Sequence, residues 1–379
     1  MSSTKGDRTY RKVAVNFCRL LLAACFIFSG FVKAVDPTGT QIKLQDYMYA
    51  FGMGSLVDSG VLLVLAGVLA GFEFLLGIYM LFGIFRRGTT LMMLLMMLVF
   101  TPLTLYLAIK NPVTDCGCFG DALVLTNWQT FGKNVVLLVM AVYTTICCRY
   151  IVPAISEKRM WMVSVVTAVL MLQFIRTNVR DLPVFDFRPY KVGTDLRSAV
   201  LSGRDRSFDD FLLMDSQFDD MTFDILEDKG YTFLLVASHL EEASDENADL
   251  MDDLYDYCRE NGYAMYGVTA SGQEAIEEWC ANTGAEYRFL IADEIPLQTM
   301  VRSNPGLVLL HDGVIEAKWS HNNIPGDDQL SAPLEELHRA NPLMTGTVAK
   351  AIWVGLMFLL PYLLILLLDA LAYLNRKEN

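Results

Sequence analysis

Long apolar runs are the feature of this sequence that most constrains its fold. Each run has about 18 or more mostly apolar residues, enough to cross the roughly 30 Å core of a bilayer as a helix. The runs cover approximately residues 13–35, 60–85, 88–109, 128–148, 160–178 and 346–372. With 53% hydrophobic residues, the chain is too apolar for an ordinary soluble protein. We therefore predict an α-helical membrane bundle of six transmembrane helices.

Acidic residues concentrate between the fifth and sixth runs. Residues 180–342 hold 33 of the 43 Asp and Glu residues but only 12 of the 30 Lys and Arg residues. An acidic soluble insert therefore interrupts a basic membrane protein. The insert is acidic and the basic residues of the remainder flank the spans, so nucleic acid is not expected as a partner. The lipid bilayer is the expected environment of the remainder.

The same pattern predicts the division into domains. We expect a four-helix membrane domain over 1–152, a fifth transmembrane helix over 153–180, a soluble domain over 181–342, and a sixth helix with a cytoplasmic tail over 343–379. The predicted strands of the soluble domain are Tyr231–Ala237, Tyr263–Val268, Tyr287–Ala292, Gly306–Leu310 and Val314–Ser320. Helices alternate with the first strands, and a tight hairpin joins the last two, which indicates a three-layer α/β domain.

Basic residues predict the orientation in the membrane. With six spans, the basic residues of the N-terminus, Arg86-Arg87, the 149–159 segment and Arg376-Lys377 fall on one side. The positive-inside rule makes that side cytoplasmic. Both termini are then cytoplasmic, and the insert lies outside. In a bacterium this places the protein in the inner membrane and the insert in the oxidising periplasm.

A short polar loop between the third and fourth spans contains a Cys-Gly-Cys motif, Cys116-Gly117-Cys118. A disulfide within it would close a small ring that Gly117 tolerates, and it would constrain little chain. Such a bond suits thiol exchange on an oxidising face. The alternative is a turn whose cysteines are bystanders. No second cysteine pair is visible on the outer face, so the sequence shows no complete electron path.

Charged neighbours of the motif act in opposite directions on its pKa values. Asp115 and Asp121 would raise them, whereas Lys110 and the start of the fourth helix would lower them. A metal site is not expected, because only two cysteines are local and all four histidines lie at or beyond residue 239.

Two ionisable residues in the first spans are candidate supporting groups. Glu73 lies near the middle of the second span, where a carboxyl group is costly and usually faces the bundle interior. It is either a carboxylate for proton transfer or a quinone site, or a protonated acid bonded to a neighbouring helix. Lys33 and Asp36 are predicted to form a structural pair at the outer rim.

Three motifs in the first 150 residues resemble the DoxX/MauE group of four-helix membrane proteins. They are Phe28–Lys33 with Asp36–Gly39, Gly71–Gly77, and Cys116–Gly120. The resemblance implies disulfide handling during the maturation of periplasmic enzymes, beside a separate thioredoxin-like protein.

The insert resembles thioredoxin-like domains of the peroxiredoxin or membrane-tethered type. The matching pieces are the strand Tyr231–Ala237, the helix after it, and Asn304-Pro305 before a β-hairpin. The resemblance implies that Pro305 is cis, faces the active site and borders a peptide-binding groove. The family's Cys-x-x-Cys would fall within Ser238–Ser244, which contains no cysteine. The insert is therefore expected to keep the scaffold without its chemistry.

Two functions fit these observations. The first is an inner-membrane thiol–disulfide redox or maturation protein. It would exchange disulfides with a periplasmic or membrane protein partner through Cys116 and Cys118, with quinone as the candidate cofactor and Glu73 assisting. The second is a non-catalytic scaffold or subunit of a cell-envelope complex, whose degenerate thioredoxin-like domain docks partners. The sequence leaves open whether the protein is an enzyme.

Overall fold

The computed structural model of the protein describes residues 5–54, 58–113, 116–203, 205–326, 328–340 and 347–378. The chain divides into two compact units. The helical unit comprises Met1–Asn178 and Ala351–Asn379, and the α/β unit comprises Val179–Lys350.

The helical unit contains seven of the helices that the structure describes. They are α1 (Lys5–Val35), α2 (Pro37–Ala50), α3 (Ser59–Phe82), α4 (Arg86–Lys110), α5 (Asn127–Ile146), α6 (Met160–Arg180) and α13 (Thr347–Glu378). Within the described residues, five helical stretches are long and apolar enough to cross a membrane: Arg8–Val35, Ser59–Phe82, Arg86–Lys110, Glu157–Arg180 and Val348–Asn375. The predicted membrane bundle is therefore supported. The fourth predicted span corresponds to α5, which is not in this group.

Helix α5 runs antiparallel to α4 along almost its whole length. The contacts between them are Asn127 Nδ2 to Asn111 Oδ1 at 2.8 Å, Asn134 Nδ2 to Thr104 Oγ1 at 3.2 Å, and Thr145 Oγ1 to the Thr90 carbonyl at 3.1 Å. The buried face of α5 thus carries side-chain amides and hydroxyls that find partners on α4.

The α/β unit is built on one mixed sheet. Its strands are β1 (Tyr231–Ala237), β2 (Ala264–Thr269), β3 (Arg288–Ile291), β4 (Gly306–His311) and β5 (Val314–Ser320). The spatial order is β3-β2-β1-β4-β5, with β1, β2 and β3 parallel and with β4 antiparallel to both β1 and β5. Its helices are α7 (Leu196–Ser202), α8 (Thr222–Glu227), α9 (Ala248–Asn261), α10 (Gln273–Thr283), α11 (Glu294–Met300) and α12 (Leu334–Ala340).

Both faces of this sheet are covered, which makes the unit three-layered. Successive residues of β1 point to opposite faces. Leu234 and Val236 enter one apolar core, whereas Phe233 and Leu235 enter the other. All seven residues of β1 are buried. The prediction of a separate α/β domain is confirmed, and the Asn304–Pro305 bond is cis as the resemblance implied.

Candidate functional site

A close crossing of α1 and α3 positions the polar residues of the helical unit. A Cβ atom added at Gly30 of α1 would lie 2.4 Å from the backbone nitrogen of Phe74 in α3. One added at Gly77 of α3 would lie 2.7 Å from the backbone nitrogen of Ile27. Only glycine permits such an approach, because no side chain fits between the two backbones. The crossing brings the α1 residues beside Gly30 against Glu73.

Lys33 and Glu73 form a buried ion pair across this crossing. Lys33 Nζ lies 2.8 Å from Glu73 Oε2, and the side chains are only 7% and 4% exposed. The ammonium also donates to Ser29 Oγ at 2.6 Å and to the Cys118 carbonyl at 2.8 Å. Ser29 Oγ lies 2.7 Å from Glu73 Oε2 and 2.8 Å from the Cys118 carbonyl oxygen. Each of the three ammonium protons therefore has an acceptor, and the network joins the cysteine loop to both helices.

The partner of Lys33 differs from the one that sequence proximity predicted. Its ammonium bonds Glu73, which is 40 residues away in the chain. Asp36, the predicted partner, is the N-cap of α2 and accepts from the backbone N–H of Gly39 at 2.8 Å. The burial of the Glu73 carboxylate and the Lys33 ammonium is tolerated because each charge is paired with the other. Glu73 is thus bonded to a neighbouring helix, as one of the two predicted alternatives had it, and its partner there is the Lys33 ammonium of α1.

The Cys-Gly-Cys loop is held through its backbone carbonyls. The Cys116 carbonyl accepts from the Tyr47 hydroxyl of α2, and the Cys118 carbonyl accepts from Lys33. Gly117 has φ +62°, and a Cβ atom there would lie 3.1 Å from Lys43 Cγ, so the turn requires glycine. The sulfurs of Cys116 and Cys118 face each other at 2.7 Å. Both thiols are half-buried.

The N-terminal end of the loop is fastened to the start of α5. Asn127 Nδ2 donates to Asn111 Oδ1 at 2.8 Å and to the Val113 carbonyl at 2.9 Å. Thr126 and Gln129 form a capping box at the start of α5. Asp121 lies in an exposed 3₁₀ turn, Gly120–Ala122. Asp115, also predicted to act on the pair, lies outside the described residues.

The two thiols have opposite electrostatic environments. The hydrogen bond from the Cys116 thiol lowers the pKa of Cys118 to about 7, and the charges of Lys133 and Lys33 act in the same direction against burial and Glu73. The same hydrogen bond, together with burial, raises the pKa of Cys116. The lowered pKa favours the thiolate form of Cys118, and the raised pKa favours the protonated form of Cys116. Lys133 Nζ lies 4.0 Å from the centroid of the Phe119 ring, a cation–π contact.

A mainly apolar cavity of about 130 Å³ adjoins the pair. Residues from α1 to α5 and from the loop line it. The polar and sulfur-containing lining residues are Cys25, Ser29, Lys33, Thr40, Lys43, Tyr47, Glu73, Met97, Thr104, Cys116, Cys118, Lys133 and Asn134. The apolar lining includes Leu69, Phe100, Leu103 and Leu137. Helix α2 thus forms part of the cavity wall, through Thr40, Lys43 and Tyr47.

The predicted site residues fall into two groups. Lys33, Glu73, Cys116 and Cys118 come together at the cavity. Pro305 belongs to the α/β unit. There the Asn304 amide donates to the His239 carbonyl at 2.7 Å, and the Ser244 backbone N–H donates to the Asn304 carbonyl at 3.0 Å. The cysteine-free segment is therefore bonded to the residue that precedes Pro305.

Sequence reasoning missed Lys133 and Tyr47, and gave Cys25 no role. A signal for Lys133 existed: it is a cation within an apolar run, as Glu73 is an anion within one. Tyr47 carried no signal of its own, because its contact with Cys116 depends on the packing of α2. Among the described residues, no three His, Cys, Asp or Glu side chains converge on a point that could hold a metal ion.

The apolar helices and the half-buried thiol pair indicate a membrane protein with a cysteine site beside a cavity. Residues 11–147 match the family model described as methylamine utilisation protein MauE. This segment contains α2 to α5, most of α1 and every residue that lines the cavity. The MauE part of the predicted resemblance is thus supported over that segment, and its DoxX part stays a prediction.

The other comparisons add little. No curated protein matches the chain. Among solved structures, a solution structure of a candidate protein disulfide isomerase from Bacteroides thetaiotaomicron is similar, at 14% sequence identity. The match covers 38% of this chain and 90% of that chain, with a TM-score of 0.27. That score is too low to support an argument about fold or activity.

Proposed function

We propose that the protein is a membrane thiol–disulfide exchange protein and that Cys116 and Cys118 are its reacting groups. The observation that carries the proposal is the pair of facing sulfurs, 2.7 Å apart at the cavity, with the pKa of Cys118 lowered to about 7. A thiolate that is stable near neutral pH is both a nucleophile and a good leaving group.

The asymmetry of the two thiols suggests the order of the exchange. A thiolate of the partner attacks Cys116 Sγ of the oxidised pair, and the Cys116–Cys118 bond breaks. Its electron pair goes to Cys118, whose thiolate Lys133 and Lys33 stabilise. The partner's second thiolate then attacks the partner sulfur that is bonded to Cys116. A disulfide forms within the partner, and Cys116 leaves and takes up a proton. The partner dithiol is oxidised and the pair is reduced by two electrons.

Renewed oxidation of the pair requires an electron acceptor, and a membrane quinone is the class that we propose. A bound quinone would accept two electrons and two protons. The cavity fits such a ring in chemical character, because Leu69, Phe100 and Leu103 supply an apolar wall and the Tyr47 side chain supplies a polar one. Glu73 and Lys33 would hold the loop in place there, since both belong to the network that binds the Cys118 carbonyl.

The proposed setting follows the predicted topology. The helical unit would lie in the bacterial inner membrane with both termini in the cytoplasm. Residues 181–342 would be periplasmic, and the thiol partner would be a periplasmic or membrane protein. The basic residues beside the spans and the long apolar helices support this arrangement.

Trapping of the mixed disulfide tests the proposal. In Cys118→Ser, Cys116 can still attack a disulfide of the partner, which reverses the second step, but no Cys118 thiol is present to release the adduct, so mixed disulfides between Cys116 and the partner should accumulate in intact cells. Acid quenching, alkylation and non-reducing gels would detect them, and mass spectrometry would identify the linked cysteine. The double variant Cys116→Ser/Cys118→Ser should form none. Cys280→Ser, which alters a thiol of the α/β unit, should behave as the native protein.

The alternative function, a non-catalytic scaffold, has one observation in its favour. The segment that replaces the Cys-x-x-Cys is hydrogen-bonded to both the side-chain amide and the backbone carbonyl of Asn304, as a docking domain without redox chemistry would permit. If Cys118→Ser traps no partner and the double variant supports growth and envelope integrity as the native protein does, the scaffold is the better account.

A further inference from the structure

The cavity contains a third thiol, that of Cys25. It is half-buried on α1 and packs beside the apolar core of the bundle. Cys25, Cys116 and Cys118 line the same cavity, so three nucleophilic sulfurs share one enclosed space. The exchange described above uses only two of them.

Helix geometry places Cys25 below Cys118. Cys25 precedes Ser29 by four residues, so the two side chains lie on one face of α1, about 6 Å apart along the axis. Ser29 Oγ is 2.8 Å from the Cys118 carbonyl oxygen. Cys25 therefore lies one helical turn closer to the N-terminus of α1 than Ser29, which contacts the Cys118 carbonyl. Both Cys25 and Ser29 line the cavity.

The electrostatic environment is also shared. The Lys133 ammonium lines the same cavity as the three thiols, and its charge lowers the pKa of Cys118. Exchange among the three sulfurs would therefore keep the negative charge in a cavity that contains a cation, rather than carry it into a purely apolar region.

We propose that Cys25 is a third redox thiol, which takes over the disulfide from the loop. This inference rests on the proposed exchange function. The Cys25 thiolate attacks Cys118 Sγ of the Cys116–Cys118 disulfide; a Cys25–Cys118 bond forms and Cys116 leaves as a thiolate that takes up the proton lost by Cys25. One disulfide breaks and one forms, so the step needs neither an oxidant nor a reductant. The loop would have to enter the cavity, because a disulfide requires Cα atoms within about 7 Å.

Paired-cysteine variants of the full-length protein test this geometry. In the first variant Cys25 and Cys118 are the only cysteines, and in the control Cys18 and Cys118 are. Cys18 is a suitable control because it is half-buried on the same helix, seven residues before Cys25 and about 10 Å further along the axis. After diamide treatment in membranes, peptide mass spectrometry should find the Cys25–Cys118 link about tenfold more often than the Cys18–Cys118 link, because only Cys25 borders the loop. Equal yields, or no link in the first variant, would overturn the inference.

A variant that keeps Cys25, Cys116 and Cys118 separates the two proposals. After oxidation and acid quenching, a fraction of the molecules should hold Cys25–Cys118 with Cys116 free to react with an alkylating reagent. If all the oxidised protein holds Cys116–Cys118 and still exchanges with a dithiol, Cys25 has no redox role and the proposed function stands. If the loop pair neither oxidises nor exchanges, the proposed function fails, and this inference fails with it.

Discussion

At the scale of single residues, Lys133 is the cation that most distinguishes the thiol pair from ordinary surface cysteines. It acts on both Cys116 and Cys118, and it also contacts the Phe119 ring. It lies on α5, fifteen residues after Cys118 in the sequence, so the packing of α5 against the loop contributes to the acidity of Cys118 beside the larger effect of the Cys116 hydrogen bond. The other contributing cation, Lys33, is already neutralised in part by Glu73.

Removal of the Lys133 charge should raise the pKa of Cys118. A nearby cation favours the thiolate, so in Lys133→Ala the pKa should rise from about 7 by up to roughly one unit, whereas Lys133→Arg should keep it low. The measurement is the pH dependence of iodoacetamide alkylation, with Cys118 followed by mass spectrometry. A midpoint that is identical in the native protein and in Lys133→Ala would show that Lys133 does not act on the pair.

A second ionic network, in the α/β unit, has two cations and one anion. Lys318 Nζ lies 3.0 Å from Asp186 Oδ2, and Arg188 Nε lies 2.8 Å from Asp186 Oδ1. The side chains of Lys318 and Arg188 are each 3% exposed. Burial raises the pKa of Asp186, but the charges of Lys318 and Arg188 outweigh it and the pKa lies below its usual value. Burial lowers the pKa of Lys318 to about 8.

The two partners should therefore respond differently to substitution. Asp186→Asn leaves two buried cations without their anion and should cost about 3–5 kcal/mol, whereas Lys318→Met keeps the Asp186–Arg188 pair and should be close to neutral. Because the folded-state pKa of Asp186 is lowered, its stabilisation is present above about pH 4 and is lost as the pH falls through the lowered value. Hydrogen exchange of β5 peptides would measure both effects. Equal losses in the two variants would contradict this account.

At the scale of secondary-structure elements, glycine positions decide how closely α1 and α3 approach. Gly30→Ala should separate the helices and lower the melting temperature in detergent, because its Cβ atom would meet the backbone of Phe74. Gly71→Ala is the matched control on α3, since a Cβ atom there has no neighbour within 4 Å. It should be neutral or stabilising by up to about 1 kcal/mol, as alanine is the better helix former. Equal effects of the two substitutions would show that the close crossing is not required.

The elements were more predictable than the contacts between them. The bounds of β1 and β5 agree residue for residue with the prediction, because apolar runs between turn residues are local signals. Glu73 was a candidate because an acid in an apolar run is conspicuous whatever its partner. Its pairing with Lys33 could not be predicted, because it depends on the crossing at Gly30. Likewise, the sequence of α2 does not reveal that the Tyr47 hydroxyl donates to the Cys116 carbonyl.

At the scale of the whole molecule, the side of the membrane on which the α/β unit lies depends on whether α5 crosses the membrane. Helix α5 is not among the five described helices that are long and apolar enough to cross a membrane, yet it runs beside α4 from Asn111 to Thr90. Twenty residues of helix extend about 30 Å, the thickness of the hydrocarbon core. Its buried polar groups face α4, and its exposed side chains include Val135, Val136 and Val139. We therefore expect α5 to cross the membrane together with α4.

Three single-cysteine variants, in a background without native cysteines, distinguish the two topologies. Val124→Cys reports on the cysteine loop, Lys158→Cys on the segment before α6, and Glu278→Cys on the α/β unit; all three positions are exposed. If α5 crosses, a membrane-impermeant maleimide added to intact spheroplasts should label positions 124 and 278 but not 158. If α5 does not cross, positions 124 and 158 share one side and 278 lies on the other. That second pattern would put the α/β unit and the thiol pair on opposite sides of the membrane, and would rule out a common periplasmic partner for both.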